Sequence, residues 1–162
     1  MARPIREEPY DLGAAIKTTA RGMIAENGAS SLSLRAIARA LNITAPAIYN
    51  YFHRRDDLIT ALIIDSFADL GNALEEAHTP HREDDASIQL RIICQAYRRW
   101  AIEHADRYFL MFSTPIPGYQ PPEKGFFPAA GKPLMPIIAT LEFAQKNNSL
   151  RQENLLSLPS GI

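Results

Sequence analysis

The stretch ALNITAPAIYNYF, residues 40–52, decides the fold. Thr44 is a good helix N-cap, and Pro46 is tolerated just inside a helix because the first N–H groups lack intrahelical partners. A short helix therefore begins at Ala45 and, with about seven residues available, ends near Phe52. Ile48 and Phe52 lie one turn apart and form its anchoring side, while Ala45, Pro46, Tyr49 and Asn50 gather on the other. Small residues lead that second side and polar ones close it. A buried segment would carry aliphatics there, so this side is built to meet something outside the fold.

Working outward, Ser33 caps a preceding helix of about eight residues whose apolar stripe is Leu34, Ile37, Ala38 and Leu41. Asn42 takes the left-handed position usually given to glycine, and Ile43 turns inward. Further upstream Leu12, Ala15, Ile16, Thr19, Ala20, Met23 and Ile24 recur at helical spacing until Asn27 and Gly28 stop the pattern. Downstream, Asp56 and Asp57 occupy the dipole-favoured start of a long helix that carries Leu58, Leu62, Ile63, Phe67, Leu70 and Leu74 to about Ala77. Two short helices joined by a tight turn and followed at once by a long one make a helix-turn-helix, spanning about residues 32–51.

The polar string HTPHREDD, residues 78–85, reads as a linker. Beyond it Ile88, Ile92, Ile93, Ala96, Tyr97 and Trp100 mark a fifth helix and ADRYFLMF a short sixth. Pro115, Pro117, Pro121 and Pro122 around Gly118 impose a loop, and Phe126 to Lys146 form a further helix made irregular by Pro128, Pro133 and Pro136. With no strand-like alternation and no repeat, the fold class is all-α. An N-terminal helical unit built on the helix-turn-helix, over residues 9–69, is followed by a second helical unit over residues 83–162.

A chain of 162 residues can bury a real core, and its 46% apolar and 22% charged composition is that of a soluble globular protein. No run of apolar residues is long enough to span a membrane, and the N-terminus lacks the apolar core of a secretory signal. The single cysteine, Cys94, suits a reducing cytoplasm and reads as a small core residue. Net charge is −1, unevenly spread: residues 1–55 hold eight basic against four acidic side chains, a balance of +4, which leaves −5 for the rest. A basic first third suggests a polyanion partner.

The exposed side of the short helix has the chemistry for that partner. Its small leading edge enters a major groove about 12 Å wide, where an asparagine amide pairs with an adenine edge, the role available to Asn50. The hydroxyls of Thr44 and Tyr49 suit phosphate oxygens, and Arg55 brings a permanent charge beside the long helix's start. Arg35 reaches either backbone or guanine. Duplex DNA is thus the expected partner.

Residues 33–62, SLRAIARALNITAPAIYNYFHRRDDLITAL, resemble the DNA-binding domain of the TetR family of bacterial transcriptional regulators in spacing and residue type over some 30 positions. The resemblance implies phosphate contacts for Thr44, Tyr49 and Arg55 and base reading for Ala45, Pro46 and Asn50. Arg55 stands where the family usually has lysine, and Asn42 where a turn glycine is common. AYRRWAIEHADRYFLMFSTPIPGY, residues 96–119, is similar to one tyrosine- and tryptophan-rich subgroup of the family's regulatory domains. The resemblance implies a repressor released from its operator by a small apolar effector, and a homodimer formed through the last two helices. The chain stops about where those helices would begin.

Tyr97, Trp100, Tyr108, Met111 and Phe112 are the candidate effector-lining residues, since aromatic bodies with polar tips suit ligand recognition. Plain core packing accounts for the same spacing. His78 and His81 flank Pro80 without carboxylate or thiolate ligands in a motif, so neither metal nor other cofactor is expected. His104 with Glu103 or Asp106 lacks an accompanying nucleophile motif, which argues against an enzyme. Two classes remain: a DNA-binding regulator, and a helical interaction protein that keeps the fold without sequence-specific DNA binding.

Overall fold

The computed structural model describes residues 11–112 and 116–147, and all the regular structure among them is helical. Arg3 and Arg6 of the basic N-terminal third, Pro115 and the tail from Asn148 lie outside the described residues. Eight α-helices follow in order: α1 Leu12–Asn27, α2 Leu34–Ala40, α3 Ala45–Tyr49, α4 Arg55–His78, α5 Ala86–Glu103, α6 Ala105–Phe112, α7 Glu123–Gly131 and α8 Met135–Lys146. They fall into two compact units. The first takes the chain to Asp65 together with Asp106–Glu123, and the second takes Ser66–Ala105 together with the chain from Lys124.

In the first unit Asp11 caps α1 by accepting from the Ala14 N–H at 3.0 Å, and Gly28, at φ 77°, ends the helix where a side chain would be strained. Ile16, Ala20, Ile37, Ile48, Leu58, Ile59 and Leu62 are its buried centre. Lys17 and Arg21 of α1 share the Asp65 carboxylate of α4 at 2.9 and 3.2 Å. The turn after α2 is a Schellman motif. Asn42, at φ 52°, donates its N–H to the Arg39 carbonyl at 3.1 Å, and Ile43 donates to Ala38 at 2.9 Å, so the carbonyls orphaned at the helix end are satisfied.

Two local expectations change. Ser33 and Thr44 stand at the N-cap positions of α2 and α3, yet neither side chain makes a cap bond; their backbone carbonyls accept from Ile37 and Ala47 instead. Helix α3 ends at Tyr49 rather than near Phe52, because the Tyr51 and Phe52 N–H groups both turn back to the Ile48 carbonyl at 3.0 Å. Phe52 is only half-buried, leaving Ile48 as the full anchor.

The second unit corrects the reading of α5. Its buried stripe is Gln89, Ile93, Ala96 and Trp100, which leaves Ile88 at the surface and turns Cys94 outward, so Cys94 is exposed rather than a core residue. Gln89 is buried because it is fully used. Its amide donates to the carbonyls of Arg82 and Asp84 at 3.0 and 2.8 Å, and its Oε1 accepts from His78 Nε2 at 2.8 Å. Thr140 of α8 closes the cluster, its hydroxyl 2.9 Å from the Pro136 carbonyl and 3.2 Å from Gln89 Oε1. HTPHREDD is therefore no linker between units: it is tied into one of them, starting from a His78 that is buried. The single irregular helix expected over Phe126–Lys146 is two, α7 and α8, separated by a 3-10 turn at Lys132–Leu134. Pro133, which has no N–H, sits in that turn.

Candidate nucleic-acid interface

Burial of Ile48 orients α3. With that residue turned fully inward, Thr44, Ala45, Pro46, Tyr49 and Asn50 are all exposed, as the helical spacing predicts. The Thr44 hydroxyl, unused as a cap, is left for an outside partner. Arg35, on the second position of α2, is exposed beside them. A shallow concavity of about 320 Å³ brings Arg35 together with Tyr49 and Arg55 and adds Ser33, His53 and Arg54.

The two adjacent arginines differ in bonding and exposure. Arg55 turns back into the unit, where its Nη2 donates to the Ala29 carbonyl at 2.8 Å and its Nη1 lies 3.7 Å from Asp56. Its side chain is 28% exposed, and its Nε is buried without a partner. Arg54 has a side chain 78% exposed, held in place by a bond of 3.1 Å to Asp57. Asp57 also accepts the Arg54 backbone N–H at 3.0 Å, half of a capping box at the start of α4. The sequence reading missed Arg54, Ser33 and His53. Adjacency in HRR was the available signal, but which arginine faces out depends on the Ala29 carbonyl, supplied from 26 residues away.

The candidate effector residues divide between the units. In the second, Trp100 is buried with its Nε1 donating to Asp69 at 3.1 Å and its ring 5.1 Å from that of His104, while Tyr97 is half-buried. In the first, the Tyr108 and Phe112 rings lie 5.0 Å apart, Met111 is half-buried and Phe112 is exposed. Trp100 is thus buried and hydrogen-bonded within its unit. Among the described residues no group of histidines, cysteines and carboxylates is placed to hold a metal ion, and no helix is long and apolar enough to cross a membrane.

Two family models match the chain, one described as bacterial regulatory proteins of the tetR family over residues 16–62, the other as the tetracyclin repressor-like C-terminal domain over residues 90–157. The HTH-type transcriptional regulator Rv1816 of Mycobacterium tuberculosis is 35% identical over 117 residues, covering 72% of this chain and 50% of the relative. The chain thus spans about half the length of the curated relatives it matches. Among solved structures, SCO4313 is 35% identical with a TM-score of 0.72, covering 87% of this chain and 69% of that one. The TetR family transcriptional regulator PfmR from Thermus thermophilus, at 19% identity and a TM-score of 0.65 over 85% of this chain and 74% of its own, shares the fold.

Proposed function

Because the chain belongs to the tetR family of bacterial regulatory proteins, we propose that it binds an operator in double-stranded DNA through α3 and acts as a ligand-responsive repressor in the cytoplasm. Members of that family are transcriptional regulators, not enzymes. The observation that carries the proposal is the solvent-facing row of Thr44, Ala45, Pro46, Tyr49 and Asn50, backed by a buried Ile48 and flanked by Arg35 and Arg54. Asn50, at the end of the row, reads an adenine edge. Thr44 and Tyr49 accept or donate to phosphate oxygens, and Arg54 supplies the charge that Arg55 has committed to the Ala29 carbonyl.

So small a reading face binds weakly alone, and two of them must sit about 34–36 Å apart to use successive major grooves. The protein therefore works as a homodimer. Support comes from α7, α8 and the turn between them, where Phe127, Leu134, Met135, Ile138 and Leu141 are exposed while Pro136, Thr140 and Ala144 face inward. Large exposed apolar patches are normally covered in a functional assembly. Release from DNA follows from a small apolar effector that favours the wrong spacing of the two reading helices, with the aromatic side chains of α5 and α6 nearest in chemistry to its site.

Duplexes selected from a random pool test this reading. Affinity falls steeply with added salt, and Asn50→Ala relaxes preference at one base pair by about 1–3 kcal/mol. Binding insensitive to salt, or no selection of any sequence, defeats it. Sedimentation tests the assembly: a species of 18.1 kDa that stays single on added DNA rules out the dimer.

A further inference from the structure

The first unit contains a second concave site, away from the α3 surface. A cavity of about 550 Å³, within the range that takes small organic ligands, opens between the end of α1, α6 and residues Ile116 and Pro117. Ile24, Phe109, Leu110, Ile116 and Pro117 make its walls apolar, and Gly28 and Ala29 contribute at one edge. One ionisable group lines it. Asp106 is half-buried, and among the described residues its carboxylate has neither a hydrogen-bond nor an ion-pair partner. Its place in the first turn of α6 favours an acid on dipole grounds. Phe109, which lines the same cavity, is 62% exposed.

An apolar wall, an uncovered aromatic face and one unpaired carboxylate complement a single class of ligand. We propose that this cavity binds a small organic monocation, an alkyl- or arylalkylammonium, with the charge on Asp106 and the body against Phe109, Leu110 and Ile116. The ring of Phe109 adds attraction for the cation through its π face. A neutral analogue gains only the apolar part, and an anion is repelled by the carboxylate. The site is linked to the start of α4 through one bond: Ala29 lines the cavity and its carbonyl holds Arg55 at 2.8 Å, so an occupant pressing on Ala29 disturbs the first residue of α4. This second step rests on the DNA-binding reading, whereas cation binding does not.

The test uses 4-phenylbutylammonium, 4-phenylbutan-1-ol and 4-phenylbutanoate with the full chain, following heats of binding and amide shifts. The ammonium binds most tightly and moves the amides of Gly28, Ala29, Asp106 and Phe109. Asp106→Asn, which keeps the shape and removes the charge, weakens the ammonium about five- to tenfold and leaves the alcohol unchanged. Phe109→Ala, at an exposed position, weakens both and carries the test if Asp106→Asn fails to fold. Equal affinity for ammonium and alcohol, full ammonium affinity in Asp106→Asn, no binding, or shifts confined to other residues overturns the site. With DNA selected from a random duplex pool, saturating ammonium changes operator affinity; independent binding of the two overturns the link through Ala29 alone. A chain that binds the ammonium but no DNA leaves the cation site standing and defeats the DNA-binding reading.

Discussion

Arg55 Nη2 donates to the carbonyl of Ala29 at 2.8 Å, fastening the first residue of α4 to the turn that follows α1. The bond leaves neighbouring arginines unequally exposed, at 28% for Arg55 and 78% for Arg54. Arg55→Met leaves that carbonyl without its donor and lowers unfolding free energy by about 1–2 kcal/mol, read as a drop in denaturation midpoint. Arg54→Ala leaves stability nearly unchanged and weakens DNA binding to all sequences, flattening the salt slope by about one unit for one lost phosphate contact. The reverse pattern, with Arg54 stabilising and Arg55 controlling the salt slope, refutes the assignment.

Asn42 holds the turn between α2 and α3 at φ 52°, the sole positive φ of a non-glycine residue among the described residues. Asn42→Ala places an ordinary Cβ residue in the left-handed region and costs about 1 kcal/mol. Asn42→Gly stays within a few tenths of wild type, since glycine trades this strain for unfolded-state entropy. Urea titrations of the pair separate backbone strain from lost side-chain contacts, which would penalise both substitutions alike.

Gln89, itself almost without solvent access, is held by four partners, His78, Thr140 and the carbonyls of Arg82 and Asp84. Because its amide donates to Arg82 and Asp84, its Oε1 must face His78, and His78 Nε2 must carry the hydrogen. Gln89→Leu therefore strands two carbonyls and leaves the Nε2–H only the longer contact to Thr140 Oγ1 at 3.3 Å, at a cost of about 1–3 kcal/mol. Thr140→Val costs less, because Pro136 and Gln89 lose only one shared hydroxyl. Equal midpoints for Gln89→Leu and wild type show that this polar cluster does not stabilise the unit.

Tyr119 hydrogen-bonds Thr60 at 3.0 Å. Burial, with Asp56 adding its charge, raises its phenol above the ordinary value of 10.0, against the opposing pull of the Thr60 bond. A raised acid favours the neutral form in the folded state. Its contribution to stability is complete below about pH 10 and is lost as pH climbs through the raised value. Tyr119→Phe removes this alkaline loss while leaving the stability profile below about pH 9 parallel to wild type. A phenolate absorbance titration that places Tyr119 at or below the free value contradicts it.

The sequence by itself determined the helical class, the order of the helices and the outward side of α3. Each rests on local chemistry: the spacing of apolar residues, an asparagine able to adopt positive φ, a proline admitted near a helix start. It also carried the family, because residues 33–62 are a nearly continuous local pattern. Tertiary structure decided which of Arg54 and Arg55 faces out, since Ala29 offers its carbonyl to only one of them. It put Gln89 inside, in line with Ile93, Ala96 and Trp100, and left Ile88 and Cys94 outside, because the end of α4 and α8 offer Gln89 the partners His78 and Thr140. It also turned HTPHREDD from an apparent linker into a tethered turn. Polar residues look alike along a chain whether water or a buried partner satisfies them, and only the folded chain brings that partner within hydrogen-bonding distance.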